Sequence, residues 1–238
     1  MTEERHIIVA GGTRGIGKAF VKVCLERGWS VSVLSRSGNA PEGSFGISAD
    51  LTDALQVDSA LKHITDKNGP LTSAAFFQRY RGEEDGWMNH WNTSVVAISQ
   101  AIMAMVPYFS NLSDKGVVIV SSNASLYVAN EQDASYHASR SAQLGLMRYL
   151  AVKLGSRGIR VNCVSLGTVL KEENLSFFKK DSPKRLRCEA VSPLKRMGNA
   201  SEVASVVEFL CSDRASWITG QNILCDGGAS LLSSESTI

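Results

Sequence analysis

The chain has 238 residues, of which 44% are hydrophobic and 20% charged, as in an ordinary soluble globular protein. Its 25 lysines and arginines nearly balance its 23 acidic residues, so the net charge of +2 gives no reason to expect binding to nucleic acid or to a membrane. The 5 cysteines are scattered without a C-x-x-C pair and the 4 histidines have no ligand spacing, which argues against a disulfide framework and against a metal site.

The first residues are charged and lead directly into the apolar run Ile7-Ile8-Val9, which predicts a first strand and not a signal peptide. No apolar stretch approaches the roughly 20 residues that cross a bilayer. With the cysteine pattern, these features favour a reducing, cytoplasmic setting.

Segments of strand and helix character alternate along the chain. The predicted strands are His6–Ala10, Ser30–Ser35, Gly46–Ser48, Ser73–Phe77, Gly116–Ser121, Arg160–Ser165 and Asn222–Cys225, and the predicted helices are Gly15–Arg27, Asp53–Lys67, Trp87–Met105, Ser135–Gly155 and Ala200–Leu210. Several strands are apolar throughout, as expected when helices cover both faces of a sheet. The pattern predicts an α/β fold, a Rossmann-type doubly wound parallel sheet forming a single domain over residues 1–238.

A glycine-rich segment joins the first predicted strand to the first predicted helix. Glycines here permit a tight turn and a close approach of the backbone to a pyrophosphate, and the helix N-terminus supplies N–H donors. In this position the pattern is specific for a dinucleotide. The candidate cofactor-binding residues of this loop are Gly11, Thr13, Arg14, Gly15, Ile16 and Gly17.

The end of the second predicted strand indicates which dinucleotide is bound. An acidic residue there would bind a ribose 2′-hydroxyl, but the chain has Ser35-Arg36-Ser37. Arg36 can pair with a 2′-phosphate through its bidentate donors, with Ser35 adding a hydroxyl and Arg14 assisting. A solvent-exposed role for Arg36 is the alternative. We expect NADP(H) as cofactor.

The candidate catalytic residues are a tyrosine, an arginine and a serine. Tyr136 and Arg140 lie one helical turn apart, so the cation lowers the pKa of the phenol. Ser122, or else Ser121, ends the preceding strand, and the alternative is that both serines merely terminate it. A phenol, a hydroxyl and a cation together can polarise a carbonyl and protonate it.

The segment 170–193 lacks a clean period, carries six lysines and arginines, and follows a strand end, where ligands bind in open α/β sheets. It is either a substrate lid or a solvated charged loop. As a lid, its basic charge points to an anionic handle on the substrate.

From these motifs the chain resembles the short-chain dehydrogenase/reductase family, in the small single-domain branch of the β-ketoacyl carrier-protein reductases. The glycine loop, Arg160-Val161-Asn162 and the C-terminal third, including Asp226-Gly227-Gly228, carry the resemblance. It implies that Asp50 and Leu51 hold the adenine and that Asn92 completes a catalytic tetrad with Ser122, Tyr136 and Arg140. It also implies that Gly167 and the backbone of Val169 lie beside the nicotinamide.

The chain departs from the family pattern at four places. Phe76-Phe77-Gln78-Arg79 stands where the family has N-N-A-G, Leu166-Gly167 replaces P-G, and Lys171 takes the place of a threonine. Arg140 stands where the family has the lysine of Y-x-x-x-K. Arginine keeps the charge but does not readily release a proton, so it weakens the proton relay that the family lysine serves.

We therefore expect an NADP(H)-dependent oxidoreductase that acts on a small-molecule ketone or secondary alcohol. The alternative is a cofactor-binding pseudoenzyme with a structural or regulatory role and little turnover. Apolar residues on several faces of the helices that contain Asn92 and Tyr136 favour a homo-oligomer, a dimer or tetramer, although a fully buried helix gives the same pattern.

Overall fold

A computed structural model describes residues 5–82, 84–111 and 114–233. The predicted domain, 1–238, also includes 1–4, 83, 112–113 and 234–238, which lie outside the described residues. Seven strands form one parallel sheet: β1 (His6–Ala10), β2 (Ser30–Ser35), β3 (Phe45–Ser48), β4 (Ser73–Phe76), β5 (Lys115–Ser122), β6 (Ile159–Leu166) and β9 (Asn222–Cys225). All seven predicted strands occur, and the predicted fold class is confirmed.

Helices alternate with these strands. They are α1 (Gly15–Glu26), α2 (Ala54–Asn68), α3 (Gly86–Trp91), α4 (Ala97–Met105), α5 (Ala134–Gly155), α6 (Pro183–Ala190) and α7 (Ala200–Cys211). The predicted helix Trp87–Met105 is α3 and α4 joined by a π-helical turn, Asn92–Val96. The segment 170–193 contains α6 and a short 3₁₀ turn, Glu172–Asn174, and a two-residue strand, β7 (Val169–Leu170), pairs with β8 (Gly198–Asn199).

The alternation of side chains along β1 explains why both faces of the sheet are covered. Ile8 packs into a core with residues of α2, α4 and α5, whereas Ile7 and Val9 pack into a second core with α1 and α7. Successive side chains of a strand point to opposite faces, so an all-apolar strand needs helices on both.

The sheet order, β3-β2-β1-β4-β5-β6-β9, reverses direction between β1 and β4. In open parallel sheets, ligands bind in the crevice beyond the carboxyl ends of the strands at such a reversal. The glycine loop follows β1 at this point, and the segment that begins at Phe77 follows β4. The fold therefore places both segments at the crevice.

Candidate active site

Tyr136 lies in the first turn of α5 and is 9% exposed, with the Arg140 guanidinium 4.9 Å from the centre of its ring. Burial raises the pKa of the phenol, but the charges of Arg140 and Arg79 and hydrogen bonding by Ser122 and Arg140 outweigh it and lower the pKa of Tyr136 below its ordinary value. The tyrosine is therefore poised to exchange a proton nearer neutrality than a free phenol.

The two candidate serines differ in what their hydroxyls contact. Ser121 is buried, and its hydroxyl donates to the Arg140 backbone carbonyl at 3.4 Å. Ser122 is half-buried, caps the 3₁₀ turn Asn123–Ser125 by accepting from Ala124 N–H at 3.2 Å, and is the serine that lowers the pKa of Tyr136. The geometry favours Ser122 over Ser121 as the partner of the phenol.

Arg140 is 3% exposed, and two groups hold its guanidinium. One guanidinium nitrogen, Nη1, donates to the Val120 carbonyl at 3.5 Å and to the Gln143 side-chain oxygen at 3.2 Å. Gln143 is fully buried, and its Nε2 donates to the Ser94 carbonyl at 2.9 Å. Gln143 thus ties the cation beside Tyr136 to the π-helical turn.

The π-helical turn contains the predicted site residue Asn92. The Asn92 carbonyl accepts from Ala97 N–H, five residues on, and the Asn92 side chain is exposed. A π-helical turn inside an α-helix is frequent at functional sites, because it displaces backbone groups from the regular ladder. Here it presents the Ser94 carbonyl to Gln143.

The segment after β4 lies against the tyrosine through aromatic contacts. The Tyr80 ring packs edge-on against His90, with centroids 5.3 Å apart, and His90 packs edge-on against Tyr136 at 5.6 Å. The Tyr80 hydroxyl donates to the Glu84 carbonyl at 2.6 Å, which fixes the turn. Arg79 and Arg81 flank Tyr80 and are therefore close to the candidate proton donor.

Buried polar atoms without a partner line the crevice, in Gln78 beside Gly11 and in His90 and Arg140 beside Tyr136. Among the described residues such side-chain atoms are Nε2 and Oε1 of Gln78, Nδ1 of His90, Oγ of Ser94 and Nε of Arg140. Buried polar groups in folded proteins are nearly always hydrogen-bonded, so an orphaned set in one place indicates a site for a polar ligand. These atoms fit a cofactor or substrate that supplies the missing partners.

The glycines of the loop lie too close to their neighbours for a side chain. A Cβ on Gly17 would overlap the Gly11 carbonyl, and one on Gly11 would lie 3.0 Å from the Gln78 backbone nitrogen. Gly15 has a φ of +54° at the start of α1, and the site of its missing Cβ is 2.8 Å from Glu173 Oε1. A carboxylate therefore lies at the helix N-terminus, the position that favours an anion such as a phosphate.

The other predicted loop residues, Thr13, Arg14 and Ile16, follow Gly12 in the same turn, with Arg14 at the N-cap of α1. At the end of β2, Ser35 donates to the Asn39 carbonyl at 3.1 Å, and the Arg36 side chain is exposed. Such an exposed cation is free to meet a phosphate.

The predicted adenine residues lie at the end of β3. The Asp50 carboxylate accepts from the backbone and the hydroxyl of Thr52, at 2.9 and 2.7 Å, and Leu51 packs against the core. One carboxylate oxygen of Asp50 is therefore already hydrogen-bonded to Thr52, and the other has no such bond to Thr52.

The residues predicted beside the nicotinamide follow β6. A Cβ on Gly167 would lie 2.8 Å from that of Asp226, so this close approach requires glycine. Val169 is buried, and its carbonyl accepts from the Asn174 side chain at 2.9 Å. Its backbone is therefore already engaged with the segment that leads into 170–193.

Sequence reasoning gave no role to Gln143, His90 or Glu173. A signal for Gln143 exists, because it is a polar residue on the buried stripe of α5, three residues after Arg140. His90 and Glu173 have no such signal, because their positions depend on how the segments after β4 and β7 fold. No group of side chains in the described part of the chain could hold a metal ion, and no helix there is long and apolar enough to cross a membrane.

Comparisons with known proteins point to one family. A family model described as enoyl-(acyl carrier protein) reductase matches residues 10–230. The 3-oxoacyl-[acyl-carrier-protein] reductase MabA of Mycobacterium tuberculosis is 30% identical over 234 residues, covering 94% of this chain and 92% of that protein. Isoepoxydon dehydrogenase patN of Aspergillus clavatus is 28% identical over 244 residues, covering 94% and 93%.

Among solved structures, the ligand-free aldohexose dehydrogenase of Thermoplasma acidophilum superposes with a TM-score of 0.86 at 26% identity, covering 99% of this chain and 97% of that one. The family match spans the glycine loop, the six strands of the sheet that follow β1, and the Tyr136 region. The chain belongs to the short-chain dehydrogenase/reductase family of oxidoreductases and resembles its ketoacyl reductases.

Proposed function

We propose that the protein is an NADP(H)-dependent oxidoreductase that interconverts a ketone and a secondary alcohol. The observation that carries the proposal is Tyr136, a buried phenol with a lowered pKa beside Ser122, at the crevice that the glycine loop also lines. The names of the relatives, which are reductases and dehydrogenases, support the same reaction class. Tyr136 and Ser122 would be unnecessary in a pseudoenzyme, so we favour turnover over that alternative.

The nicotinamide cofactor supplies the hydride when it is bound. In our proposal the glycine loop and the N-terminus of α1 hold its pyrophosphate, and Arg36 and Arg14 pair with a 2′-phosphate. Asp50 and Leu51 contact the adenine, and the segment from Gly167 to Val169 lies beside the nicotinamide. The close approaches at Gly11 and Gly17 and the orphaned Gln78 amide fit such a ligand.

The side chains around Tyr136 divide the proton chemistry among them. Ser122 donates to the carbonyl oxygen and orients it, and Tyr136 transfers its proton to the same oxygen as the alkoxide forms. Arg140 stabilises the resulting phenolate. General acid catalysis of this kind contributes about 10²–10⁴-fold to a rate. Because Arg140 keeps its proton, reprotonation of Tyr136 must use another route, which limits turnover without abolishing it.

We further propose a small-molecule carbonyl or alcohol substrate with an anionic handle, a cytoplasmic location, and a homo-oligomer, either a dimer or a tetramer. Segment 170–193 serves as the substrate lid in this proposal. The apolar side chains exposed on α4 and α5, Met103, Tyr149 and Val152, support self-association.

The test is NADPH consumption by the purified protein against a panel of ketones and ketoacyl thioesters, repeated with NADH. We expect consumption of NADPH with at least one ketone and a clear preference over NADH. The variant Arg36→Glu should reverse that preference, because a carboxylate repels the 2′-phosphate and accepts from the 2′-hydroxyl of NADH. Tight NADPH binding without consumption across the panel would instead support the pseudoenzyme.

A further inference from the structure

Four cations lie around the crevice, and none of them forms an ion pair with another described residue. Arg14, Arg79, Arg81 and Lys171 form no hydrogen bond through their side chains and no ion pair within the described part of the chain. Arg79 and Arg81 come from the segment after β4, Lys171 from the segment after β7, and Arg14 from the glycine loop. Three loops thus bring positive charge to one place, which we name the cationic crevice.

The charges of these groups act on one another's pKa values. Burial is the largest cause that lowers the pKa of His90, Lys171 and Arg81, and the charge of Arg79 lowers each of them further. The charge of Arg79 also lowers the pKa of Tyr136, and that of Arg14 lowers the pKa of Arg81. The opposing carboxylate is Glu173, which raises the pKa of Arg81 and of Lys171 but forms no ion pair with either. The crevice therefore carries an excess of positive charge beside the candidate proton donor.

The phosphates of NADP(H) do not account for all of this charge. The pyrophosphate faces the N-terminus of α1, and Lys171 lies on that side, with its Cδ 3.3 Å from the Cβ site of Gly15. Arg14 and Arg36 suffice for a 2′-phosphate. Arg79 and Arg81 remain, in the segment that the Tyr80–His90–Tyr136 stack holds beside the proposed position of the reacting carbonyl.

A second observation points to a ligand at this position. His90 is 9% exposed, lies between Tyr80 and Tyr136, and has an Nδ1 without a partner among the described residues. Polar donors and acceptors beside unpaired arginines form a surface suited to a carboxylate, which arginine binds with two parallel hydrogen bonds.

The sequence predicted that basic residues of 170–193 bind the anionic handle of the substrate. Some of these residues instead contact other side chains of the same segment. Arg185 pairs with Glu189 at 2.8 Å within α6, and Lys184 lies over the Phe177 ring at 4.0 Å. Lys171 is the member of this set at the crevice. The segment after β4 is thus a better source of anion-binding groups than the predicted lid.

From these contacts we infer that Arg79 and Arg81 bind the carboxylate of an oxo-acid substrate whose ketone lies at Tyr136 and Ser122. This inference rests on the proposed function and names its substrate class. Specificity for the substrate carboxylate then comes from the segment after β4, where the family has N-N-A-G, and not from the lid.

The test compares straight-chain oxo-acids of increasing length with their methyl esters, which carry the same ketone without the charge. We expect kcat/KM for the best acid to exceed that for its ester by about tenfold or more, the size of one charge-assisted hydrogen bond. Arg81→Gln and Arg79→Gln should lower kcat/KM for the acid more than for the ester. Arg157→Gln, an exposed arginine after α5, serves as the control.

Two binding measurements separate the possible failures. Calorimetric titration of the oxo-acid into the protein with NADP⁺ reports its affinity without turnover, and an NADPH titration reports cofactor affinity. An acid that binds in an Arg81-dependent manner but is not reduced supports the substrate class and contradicts the proposed function. Equal kcat/KM for acids and esters contradicts the substrate class alone. A loss of NADPH affinity in Arg81→Gln equal to the loss for the acid assigns these arginines to the cofactor and overturns the inference.

Discussion

At the scale of single residues, the cation beside Tyr136 has a buried polar partner. The Arg140 guanidinium is larger than an ammonium and is held by Gln143, a buried glutamine that also reaches the Ser94 carbonyl. Replacing both partners of a buried hydrogen bond costs less than leaving one unpaired. Arg140 and Gln143 therefore act as a pair, and a substitution at either one leaves a buried polar group of the other without this hydrogen bond.

The variant Gln143→Leu tests this pair. It leaves the Nη1 of Arg140 with the long bond to Val120 and removes the donor that Gln143 offers to the Ser94 carbonyl, so the cation loses its fixed position beside Tyr136. We expect kcat to fall about tenfold, since bonds to charged groups contribute roughly 1.5–3 kcal/mol, while the KM for NADPH changes little. Gln100→Leu, at an exposed position of α4, is the matched control. A normal kcat in a folded Gln143→Leu protein would show that Arg140 does not need this support.

The pH dependence of the reaction tests the effect of Arg140 on Tyr136. Tyr136 must be protonated to donate, so the rate of reduction falls as pH rises through its pKa, which lies below the ordinary value. Removing the cation in Arg140→Gln raises that pKa, so the alkaline limb should move to higher pH while the maximal rate falls. Arg140→Lys keeps a charge and should leave the limb nearly in place. A limb that stays fixed in Arg140→Gln would show that another group controls it.

At the scale of elements, the segment after β7 lies across the glycine loop. Glu173 places its carboxylate at the N-terminus of α1, and Lys18 pairs with the adjacent Glu172 at 3.4 Å. A pyrophosphate at the same helix end must displace this carboxylate, and the two negative charges repel each other. The segment therefore opposes cofactor binding until it moves.

Removing the carboxylate should strengthen cofactor binding. We expect Glu173→Gln to bind NADPH several-fold more tightly, since a charge at a helix terminus contributes about 0.3–1 kcal/mol. Fluorescence titration with NADPH measures the change. Glu172→Gln, which removes the neighbouring charge from its ion pair with Lys18, is the comparison. Weaker binding in Glu173→Gln would mean that the carboxylate does not compete with the pyrophosphate.

The π-helical turn shows where a periodic pattern stops being informative. The apolar spacing from Trp87 to Met105 predicts one helix, and a single extra residue in a helical turn barely alters that spacing. Yet the turn determines which carbonyl meets Gln143. The existence of the helices was readable from the sequence, whereas the local geometry that carries the site was not.

At the scale of the whole molecule, the sheet and its two cores follow from the sequence because each strand is short, apolar and bounded by turn residues. Ile7, Ile8 and Val9 can only be buried by helices on both faces, and the alternation of strands and helices supplies them. The glycine loop was readable for the same reason, because its position between strand and helix fixes its geometry. The cationic crevice was not, since Arg79 and Lys171 are distant in sequence and meet only through the order of the strands.

Self-association belongs to this scale as well. Tyr149 and Val152 of α5 are 62% and 86% exposed, on a helix that also contributes Leu144, Met147 and Leu150 to the core. If copies associate through this helix, Val152→Asp should shift the protein toward monomers, because an unpaired charge would be buried in the interface. Light scattering measures the mass, with Leu55→Asp, at an exposed apolar residue of α2, as the control. A wild-type monomer at every concentration would contradict the proposed oligomer.

The central claim is that Tyr136 gives its proton to a substrate carbonyl. The most direct measurement is the single-turnover rate of NADPH oxidation by an accepted ketone, for the wild type and for Tyr136→Phe, with NADPH bound to saturation in both. We predict that the variant binds NADPH normally and reacts at least about 100-fold more slowly, the lower range of general acid catalysis. Equal rates in the two proteins would contradict the claim.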